Sequence, residues 1–472
     1  MKRYRFPLTL IARSIRFGAA IALCCVLPCY AAGTAPGQDL IRRMLDQVVV
    51  HQLANGLKIL LLEDHTAPVV ACQFLVKTGS RNERFGITGI SHLFEHMMFR
   101  GSVKYGPEEH SRLVERHGGE SNAYTAHDAT VYYENIASDQ LELVIHLEAE
   151  RFANLRLDST VLEEERKVVA EERRERYENN VFGATNEQFE ACFYRTTSYS
   201  WPVIGWMHDI MSYSVDDIRE YYQLHYSPNN VVAVVVGDFH AADAIRLFEK
   251  YWGKIPAQPT PKPPLMVEVP LNGERRIMYH RKAELPMLMS GYPIPEQTHE
   301  DLPALDVLSR VLSGGQSSRL YKRLVYQEQL ARYAGGSTDD RLGPGKFEFY
   351  MGMKQGKPIE QGEKVMWEEV ERLRNEPVTE AELVKAKNQI EAGSVYVLWS
   401  TESRARLLGG YETGYGDFHK FVERQEALQR VTAADVQRVA QKYLDPNKRT
   451  VLILVPTKDE GAEGATTKEN KQ

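Results

Sequence analysis

The chain has 472 residues, a hydrophobic content of 43%, a charged content of 26% and a formal net charge of -6 at pH 7. This length exceeds one ordinary domain and predicts two domains of roughly 200 residues each. The composition is that of a soluble globular protein, and its slight acidity gives no basis for a nucleic acid or a membrane surface as a partner.

Residues 1–32 have the three-part layout of a secretory signal peptide. "MKRYRFPLTLIARSIRFG" is basic without an acidic side chain, "AAIALCCVLPCYAA" is a short apolar run, and small residues allow cleavage after Ala31 or Ala32. The alternative is a membrane anchor, which the short run and the polar "GTAPGQ" after it disfavour. We therefore expect an exported, periplasmic protein with no membrane contact beyond the signal peptide.

Cysteine usage agrees with export. Three of the five cysteines lie within the predicted signal peptide, and no small-residue lipobox precedes them, which disfavours a lipoprotein. Cys72 and Cys192 remain, which permits one disulfide but neither a disulfide framework nor a metal pattern.

The first half of the mature chain predicts alternating strands and helices. "GLKILLLED" and "VVACQFLVKTG" are typical of strands, and "GITGISHLFEHMMFRG" and "PEEHSRLVERHGG" of helices bounded by glycine. "SNAYTAHDATVYYENI" is strand-like, and a charged helix is predicted from Asp158 to about Tyr177.

The helix "SHLFEHMMF" carries a possible metal site. On a helix, residues at i, i+3 and i+4 project together, so His92, Glu95 and His96 share one face. Two imidazoles at this spacing suit a zinc ion, and a neighbouring carboxylate can deprotonate water held there. The bland alternative is a helix with ordinary polar residues, but the apolar flanks place the histidines in a buried helix, where unpaired imidazoles are costly.

A third ligand is available in "EEERKVVAEERRE". Glu165 and Glu172 are two helical turns apart, so both can face one neighbour across the apolar "VVA". The other charges of this run predict a solvated, salt-bridged surface. They are Glu163, Glu164, Glu171, Glu175, Arg166, Lys167, Arg173 and Arg174.

A proline-rich segment, residues 256–270, is predicted to link an N-terminal domain (45–255) to a C-terminal domain (271–457). Five prolines between Pro256 and Pro264 are too many for a helix or a central strand. Residues 458–472 are polar and predict a disordered tail.

The two domains contain a repeat. "YSVDDIREYYQLHYSPNNVVAVVVGD" and "VTAADVQRVAQKYLDPNKRTVLILVP" align at an offset of 218, which pairs Ser214 with Thr432 and Pro228 with Pro446. Each segment predicts a capped helix, a proline turn and a β-branched strand. The fold class is therefore α+β, with duplicated domains.

"HLFEH", followed 80 residues after His92 by Glu172 in "ERKVVAEE", resembles the pitrilysin/insulinase family of zinc peptidases. The resemblance spans about residues 48–456. It implies two similar domains, each an antiparallel sheet packed by helices, that face each other as a clamshell. His92, His96 and Glu172 would bind Zn²⁺, with Glu95 as general base and Glu165 as a supporting carboxylate.

The same resemblance implies that Asn122, Ala123, Tyr124 and Thr125 form a strand that pairs with an extended substrate. The alternative is an ordinary sheet strand with a tyrosine-rich face. The implied activity is zinc-dependent endopeptidase hydrolysis of peptides or unfolded segments. A family member that has lost catalysis and serves as an assembly subunit is the alternative, and a non-hydrolytic metal-binding module is disfavoured by Glu95.

One departure from the family pattern bears on partners. Self-sufficient members carry an Arg and a Tyr seven apart in the C-terminal half, but "SSRLYKRLVYQEQLARYAGG" places Val325 and Arg332, or Tyr326 and Tyr333, at these positions. One interpretation is a heterodimer with a paralogous zinc-less subunit that supplies the pair. The other is a chain that acts alone or as a homodimer, with Arg332 or Tyr333 as a substitute.

Overall fold

The computed structural model describes residues 36–457. The predicted signal peptide and the predicted tail lie outside the described residues. Within 36–457 the chain forms two β-sheets covered by helices, and the α+β prediction with two domains is confirmed.

The helices and strands are numbered in chain order. The helices are α1 Pro36–Leu45, α2 Ile90–Met97, α3 Glu109–Arg116, α4 Leu141–Asn154, α5 Ser159–Arg173, α6 Val181–Phe193, α7 Met207–Ile210, α8 Val215–His225, α9 Ala241–Tyr251, α10 Leu302–Ser313, α11 Ile359–Asn375, α12 Glu380–Tyr396, α13 Thr401–Tyr415, α14 Lys420–Arg430 and α15 Ala433–Tyr443. The strands are β1 Val49–Gln52, β2 Lys58–Glu63, β3 Val69–Val76, β4 Glu120–Thr125, β5 Thr130–Ala137, β6 Val231–Gly237, β7 Arg275–Lys282, β8 Met287–Ile294, β9 Ala331–Asp339, β10 Gly345–Met353 and β11 Thr450–Thr457.

Both sheets are mixed. The first has the order β1-β2-β6-β3-β5-β4, and the second has the order β7-β11-β8-β10-β9. The antiparallel prediction fails at one pair in each sheet, because β2 is parallel to β6 and β7 is parallel to β11. A parallel pair needs a long crossover between its strands, and the helices that precede β6 and β11 supply it.

The single strand-like stretch from residue 121 to 136 is a hairpin. β4 and β5 pair antiparallel from Thr125 opposite Thr130, and the amide of Ala126 donates to the carbonyl of Ala129 across the turn. Asn122 lies opposite Tyr133 in this register. Within the described chain β4 pairs with no other strand, so it forms one edge of the first sheet.

The repeat is confirmed in its local detail. Ser214 caps α8 in a reciprocal capping box with Asp217, and Thr432 caps α15 in the same way with Asp435. A 3₁₀ turn beginning at proline follows each helix and leads into β6 or β11. Each cap satisfies backbone amides that a helix start leaves without partners.

One helix of each half packs on the β-sheet of the other half. Helix α6 of the first half packs on β8 and β11 of the second sheet, and helix α13 of the second half packs on β3 and β6 of the first sheet. Ion pairs flank the second contact, from Arg404 to Asp64 and from Glu412 to Lys58. Each half therefore completes the core of the other.

Residues 256–270 contain no helix or strand. Cys72 in β3 and Cys192 in α6 are both free thiols, so the disulfide that their number permits does not form. No helix within residues 36–457 is long and apolar enough to cross a bilayer.

We expect Leu408→Ala to destabilise the protein by about 2–5 kcal/mol, the range for truncation of a buried leucine. Leu408 on α13 is 0% exposed in a cluster shared with β2, β3 and β6. Leu265→Ala is the matched control, because that side chain is 84% exposed, and it should cost less than about 0.5 kcal/mol. Urea unfolding measures both changes, and equal effects would contradict the packing of α13.

Candidate metal centre

The start of helix α2 is fixed by backbone geometry and two buried carboxylates. Gly89 has φ 86°, and a Cβ there would meet the carbonyl oxygen of Ile204 at 2.1 Å, so a glycine is required. Glu83 accepts hydrogen bonds from the amides of Gly89 and Ser91 at 2.7 and 2.9 Å. Asp209 accepts from the amides of Gly86 and Thr88 just before the helix.

Helix α2 buries one face in the apolar core. Leu93, Phe94 and Met97 are fully buried in the cluster formed with the first sheet and its helices. His92 and His96 lie on the side that faces α5. The apolar face therefore sets the rotation of α2 and with it the direction of both imidazoles.

Three predicted ligands meet at one point. His92 Nε2 lies 3.6 Å from one oxygen of Glu172, and His96 Nε2 lies 3.2 Å from the other. One ligand atom from each residue lies within 4.8 Å of the other two. Glu172 comes from α5, so the fold brings the sequence motif and the distant glutamate together.

Glu165 lies beside the second imidazole, His96. Its side chain is 1% exposed and lies 3.4 Å from His96 Nδ1, the nitrogen that faces away from Glu172. Arg100, one turn after His96, forms an ion pair with the other oxygen of Glu165. A carboxylate on the far nitrogen fixes the tautomer and orientation of a metal-binding imidazole.

The charges of the site are strongly coupled. Burial would raise the pKa of the Glu172 carboxyl, but hydrogen bonds to His92 and His96 outweigh it and hold that pKa well below its usual range. Burial opposes the charge on His96, yet Glu165 and Glu172 raise its pKa to about 9. The carboxylates thus require a positive charge between them, which a proton or a metal ion can supply.

The residues fit zinc. Two imidazole nitrogens and a carboxylate are ligands that this ion prefers, and three protein ligands leave one position open, as in catalytic sites. His92 directs its Nε2 at the point shared with His96 and Glu172. Its other ring nitrogen, Nδ1, is buried and has no hydrogen-bond partner.

Glu95 is tied to the edge strand. Thr125, the last residue of β4, donates a hydrogen bond of 2.6 Å from its hydroxyl to Glu95. Beside His96 and Glu165 a pocket of about 240 Å³ opens, with Ser121 and Asn122 of β4 in its lining. The predicted base and the predicted substrate strand are therefore neighbours.

The four residues of the predicted substrate strand have different surroundings. Ala123 is buried in the core of the first half, and Thr125 contacts Glu95. Asn122 is exposed, and Tyr124 is half-buried with the guanidinium of Arg406 5.6 Å from its ring centre. The alternation follows the two faces of a strand, so the side chains of Asn122 and Tyr124 do not point the same way as that of Thr125.

Comparison with known families agrees with this geometry. Residues 58–205 match the family model described as "Insulinase (Peptidase family M16)", and residues 212–390 match "Peptidase M16 inactive domain". The chain is 32% identical over 412 residues to the zinc protease PqqE of Helicobacter pylori, which covers 86% of this chain and 92% of that protein. The chain belongs to peptidase family M16.

Other relatives and solved structures agree. The uncharacterised zinc protease YmxG of Bacillus subtilis is 28% identical over 82% of this chain and 92% of its own length. A solved protease from Helicobacter pylori superposes with a TM-score of 0.83 at 30% identity, over 87% of this chain and 99% of that one. The periplasmic protease PqqL of Escherichia coli shows the same fold, with a TM-score of 0.72 at 19% identity, over 87% of this chain but 48% of its own.

Two arginines near the ligands of this M16 chain escaped the sequence analysis. Arg100 pairs with Glu165, and Arg176 pairs with Glu172 at 2.9 Å. Each follows a site residue by four positions, Arg100 after His96 and Arg176 after Glu172. That spacing of four residues was the available signal, although Arg100 lies just after α2 and Arg176 lies in the π-helical turn after α5.

The charge run of α5 is less solvated than predicted. Arg166 and Arg173 are buried, at 8% and 5% exposure. Arg166 donates to the carbonyls of Ile210 and Tyr213, and Arg173 pairs with Glu187 on α6. Alternating charges looked like a surface pattern, but partners from distant segments satisfy these two guanidinium groups internally.

The residues aligned with the Arg and Tyr of self-sufficient family members lie in the second half of the chain. Arg332 and Tyr333 are exposed residues of β9, an edge strand of the second sheet. They line a pocket of about 730 Å³ to which Asn179 and Val181 of the first half also contribute. Tyr326 is 75% exposed, whereas Val325 packs against the core of the second half.

We expect the metal-free chain to lose stability as pH rises from about 6.5 to about 9. The pKa of His96 is about 9 in the folded protein, against an ordinary value of 6.5. The protonated imidazole therefore adds its full contribution to the free energy of unfolding below pH 6.5, and this contribution is lost as pH rises through 9. Urea midpoints of chelator-treated protein at several pH values measure this loss. His96→Gln should flatten the dependence, whereas His208→Gln, at an exposed histidine, should leave it unchanged; an equal slope in both variants would contradict the assignment.

Proposed function

We propose that this chain is a zinc-dependent endopeptidase that hydrolyses peptides or unfolded polypeptide segments. The observation that carries the proposal is the meeting of His92, His96 and Glu172 at one point with Glu95 on the same helix. A site built only to store a metal has no need of Glu95 as a base. The names of the M16 relatives as zinc proteases support the same conclusion.

His92, His96 and Glu172 would hold the ion, and Glu165 with Arg100 would keep His96 oriented. Bound zinc supplies Lewis acidity, which polarises a peptide carbonyl and lowers the pKa of water in the site. Glu95 accepts the proton from that water and delivers it to the leaving amine. The hydroxyl of Thr125 holds one oxygen of Glu95 at 2.6 Å, which leaves the other oxygen for proton transfer.

The edge strand β4 supports an extended substrate. A peptide added as a strand beside Asn122, Ala123, Tyr124 and Thr125 would run past Glu95, because Thr125 contacts that carboxylate. Main-chain pairing requires an extended partner. Peptides and unfolded segments satisfy this requirement, whereas a folded protein does not.

We further propose a paralogous zinc-less subunit as partner, which would supply the Arg/Tyr pair. The absence of an Arg and a Tyr seven apart in "SSRLYKRLVYQEQLARYAGG" supports this proposal. A homodimer is the alternative. We also propose export of this chain to the periplasm, because its structural neighbour PqqL of Escherichia coli is a periplasmic protease.

A second candidate is a non-catalytic or self-sufficient family member that serves as an assembly or processing subunit. The match of residues 212–390 to the model of an inactive M16 domain favours it. That match begins at residue 212, however, and all the site residues lie within residues 58–205, which match the other family model.

We expect Glu95→Gln to keep zinc and lose about 10²–10⁴-fold in kcat, because the carboxylate moves the proton without holding the ion. His92→Ala should lose both zinc and activity. Glu115→Gln, at an exposed glutamate of α3, is the matched control and should retain both. Metal analysis and cleavage of a quenched fluorescent peptide measure the two properties, and normal cleavage by Glu95→Gln would contradict its role.

We expect the mature chain alone to cleave peptides weakly, and cleavage to rise when a paralogous zinc-less family member from the same organism is added. The added subunit would supply oxyanion donors in trans. Mixing with a paralogue whose Arg and Tyr are both changed to Ala is the control and should give no rise. Full activity of the chain alone would contradict the need for a partner.

A further inference from the structure

A second group of imidazoles and carboxylates lies at the ends of β2 and β6. Glu63 ends β2, His65 follows it, and Asp238 and His240 lie between β6 and helix α9. In the first sheet β3 and β5 separate β6 from β4, the strand that contacts Glu95. At about 4.8 Å per strand step, this corner is more than 10 Å from the candidate active site.

The geometry directs three ligand atoms to a common point. Glu63 Oε2 lies 3.2 Å from His65 Nε2 and 3.7 Å from His240 Nδ1. A ligand atom from each of these residues lies within 4.8 Å of the others. The two imidazole rings are 5.5 Å apart, close enough to share one ion.

Asp238 gives His65 a fixed orientation. Its Oδ1 lies 2.7 Å from His65 Nδ1, the nitrogen that faces away from Glu63. The other oxygen of Asp238 accepts a hydrogen bond from the hydroxyl of Ser138. This carboxylate–imidazole pair repeats the arrangement of Glu165 behind His96, and it is typical of histidines that bind metals.

The backbone holds these side chains before any ion arrives. Gly237 has φ 140°, and the carbonyl oxygen of Val69 lies 2.1 Å from the place of a Cβ, so the turn after β6 requires glycine. The amide of Asp64 donates to the carbonyl of Gly237 at 2.7 Å, which ties the two segments together. The amide of Ala241, the first residue of α9, donates to Glu63 Oε1 at 2.8 Å and leaves Oε2 directed at the imidazoles.

We propose that Glu63, His65 and His240 form a second zinc site, in which Asp238 orients His65. Two imidazoles and a carboxylate match the ligands that zinc prefers, and calcium or magnesium would require more oxygen ligands. His65 and His240 have side chains 50% and 76% exposed, so water completes the coordination and this site binds zinc more weakly than the first.

Zinc at this corner cross-links the end of β2 to the turn between β6 and α9. Asp64, which lies between Glu63 and His65, forms the ion pair with Arg404 of α13, the helix that the second half contributes to this sheet. The site therefore fixes the segment on which the exchanged helix docks, and its role is structural.

The test uses the untagged mature chain with His92→Ala and His96→Ala, so that the first site no longer contributes to the number of zinc ions bound per chain. After chelator treatment, equilibrium dialysis against zinc should show one remaining equivalent. A further His240→Ala or His65→Ala change should abolish the binding of this zinc equivalent. A further His208→Ala change, at an exposed histidine outside the group, should leave the binding unchanged. Unchanged zinc binding after His65→Ala and His240→Ala would overturn the proposal.

A second measurement separates this site from the first. In the chain with both sites intact, His240→Ala should lower the zinc content from two equivalents to one and leave peptide cleavage at the parent rate. Zinc should raise the unfolding midpoint of the His92→Ala/His96→Ala chain and have no such effect once His240→Ala is added. Because the zinc counts and the unfolding midpoints do not need catalysis, the second site stands or falls independently of the peptidase proposal.

Discussion

The contact between helices α2 and α5 is the constraint on which the rest of the site depends. It joins His92 and His96 on one helix to Glu165 and Glu172 on the other, and all four side chains are at least partly withdrawn from water. Groups of this kind are costly to bury unless opposite charges and hydrogen bonds compensate them. Their juxtaposition favours a positive charge at its centre, which a proton or a metal ion can supply.

The contacts around α2 also fix the position of Glu95. Glu83 and Asp209 hold the backbone at its start, and burial raises the pKa of Glu83 to about 7. The apolar face fixes the rotation of the helix, and Thr125 then ties Glu95 to the edge of the sheet. One short helix thus carries His92, Glu95 and His96 and is joined to β4 through Thr125.

The exchange of α6 and α13 makes the two halves one structural unit. Helix α6 follows α5 after a short π-helical turn, so the segment that carries Glu172 continues directly into the helix that packs on the second sheet. In return α13 covers the first sheet and pairs with Asp64 beside the Glu63, His65 and His240 group. The core of the first sheet therefore includes a helix of the second half, and the core of the second sheet includes a helix of the first half.

The sequence by itself determined the features that arise from local periodicity. His92, Glu95 and His96 share a helix face because of their spacing, Glu165 and Glu172 do so two turns apart, and the capped repeats at Ser214 and Thr432 follow from short-range hydrogen bonds. Only the tertiary structure decided the pairings between distant segments: the parallel strand pairs, the exchanged helices, the burial of Arg166 and Arg173, and the approach of Glu63 and His65 to Asp238 and His240. These depend on which surfaces of the folded chain meet, and no spacing within one helix or strand encodes that.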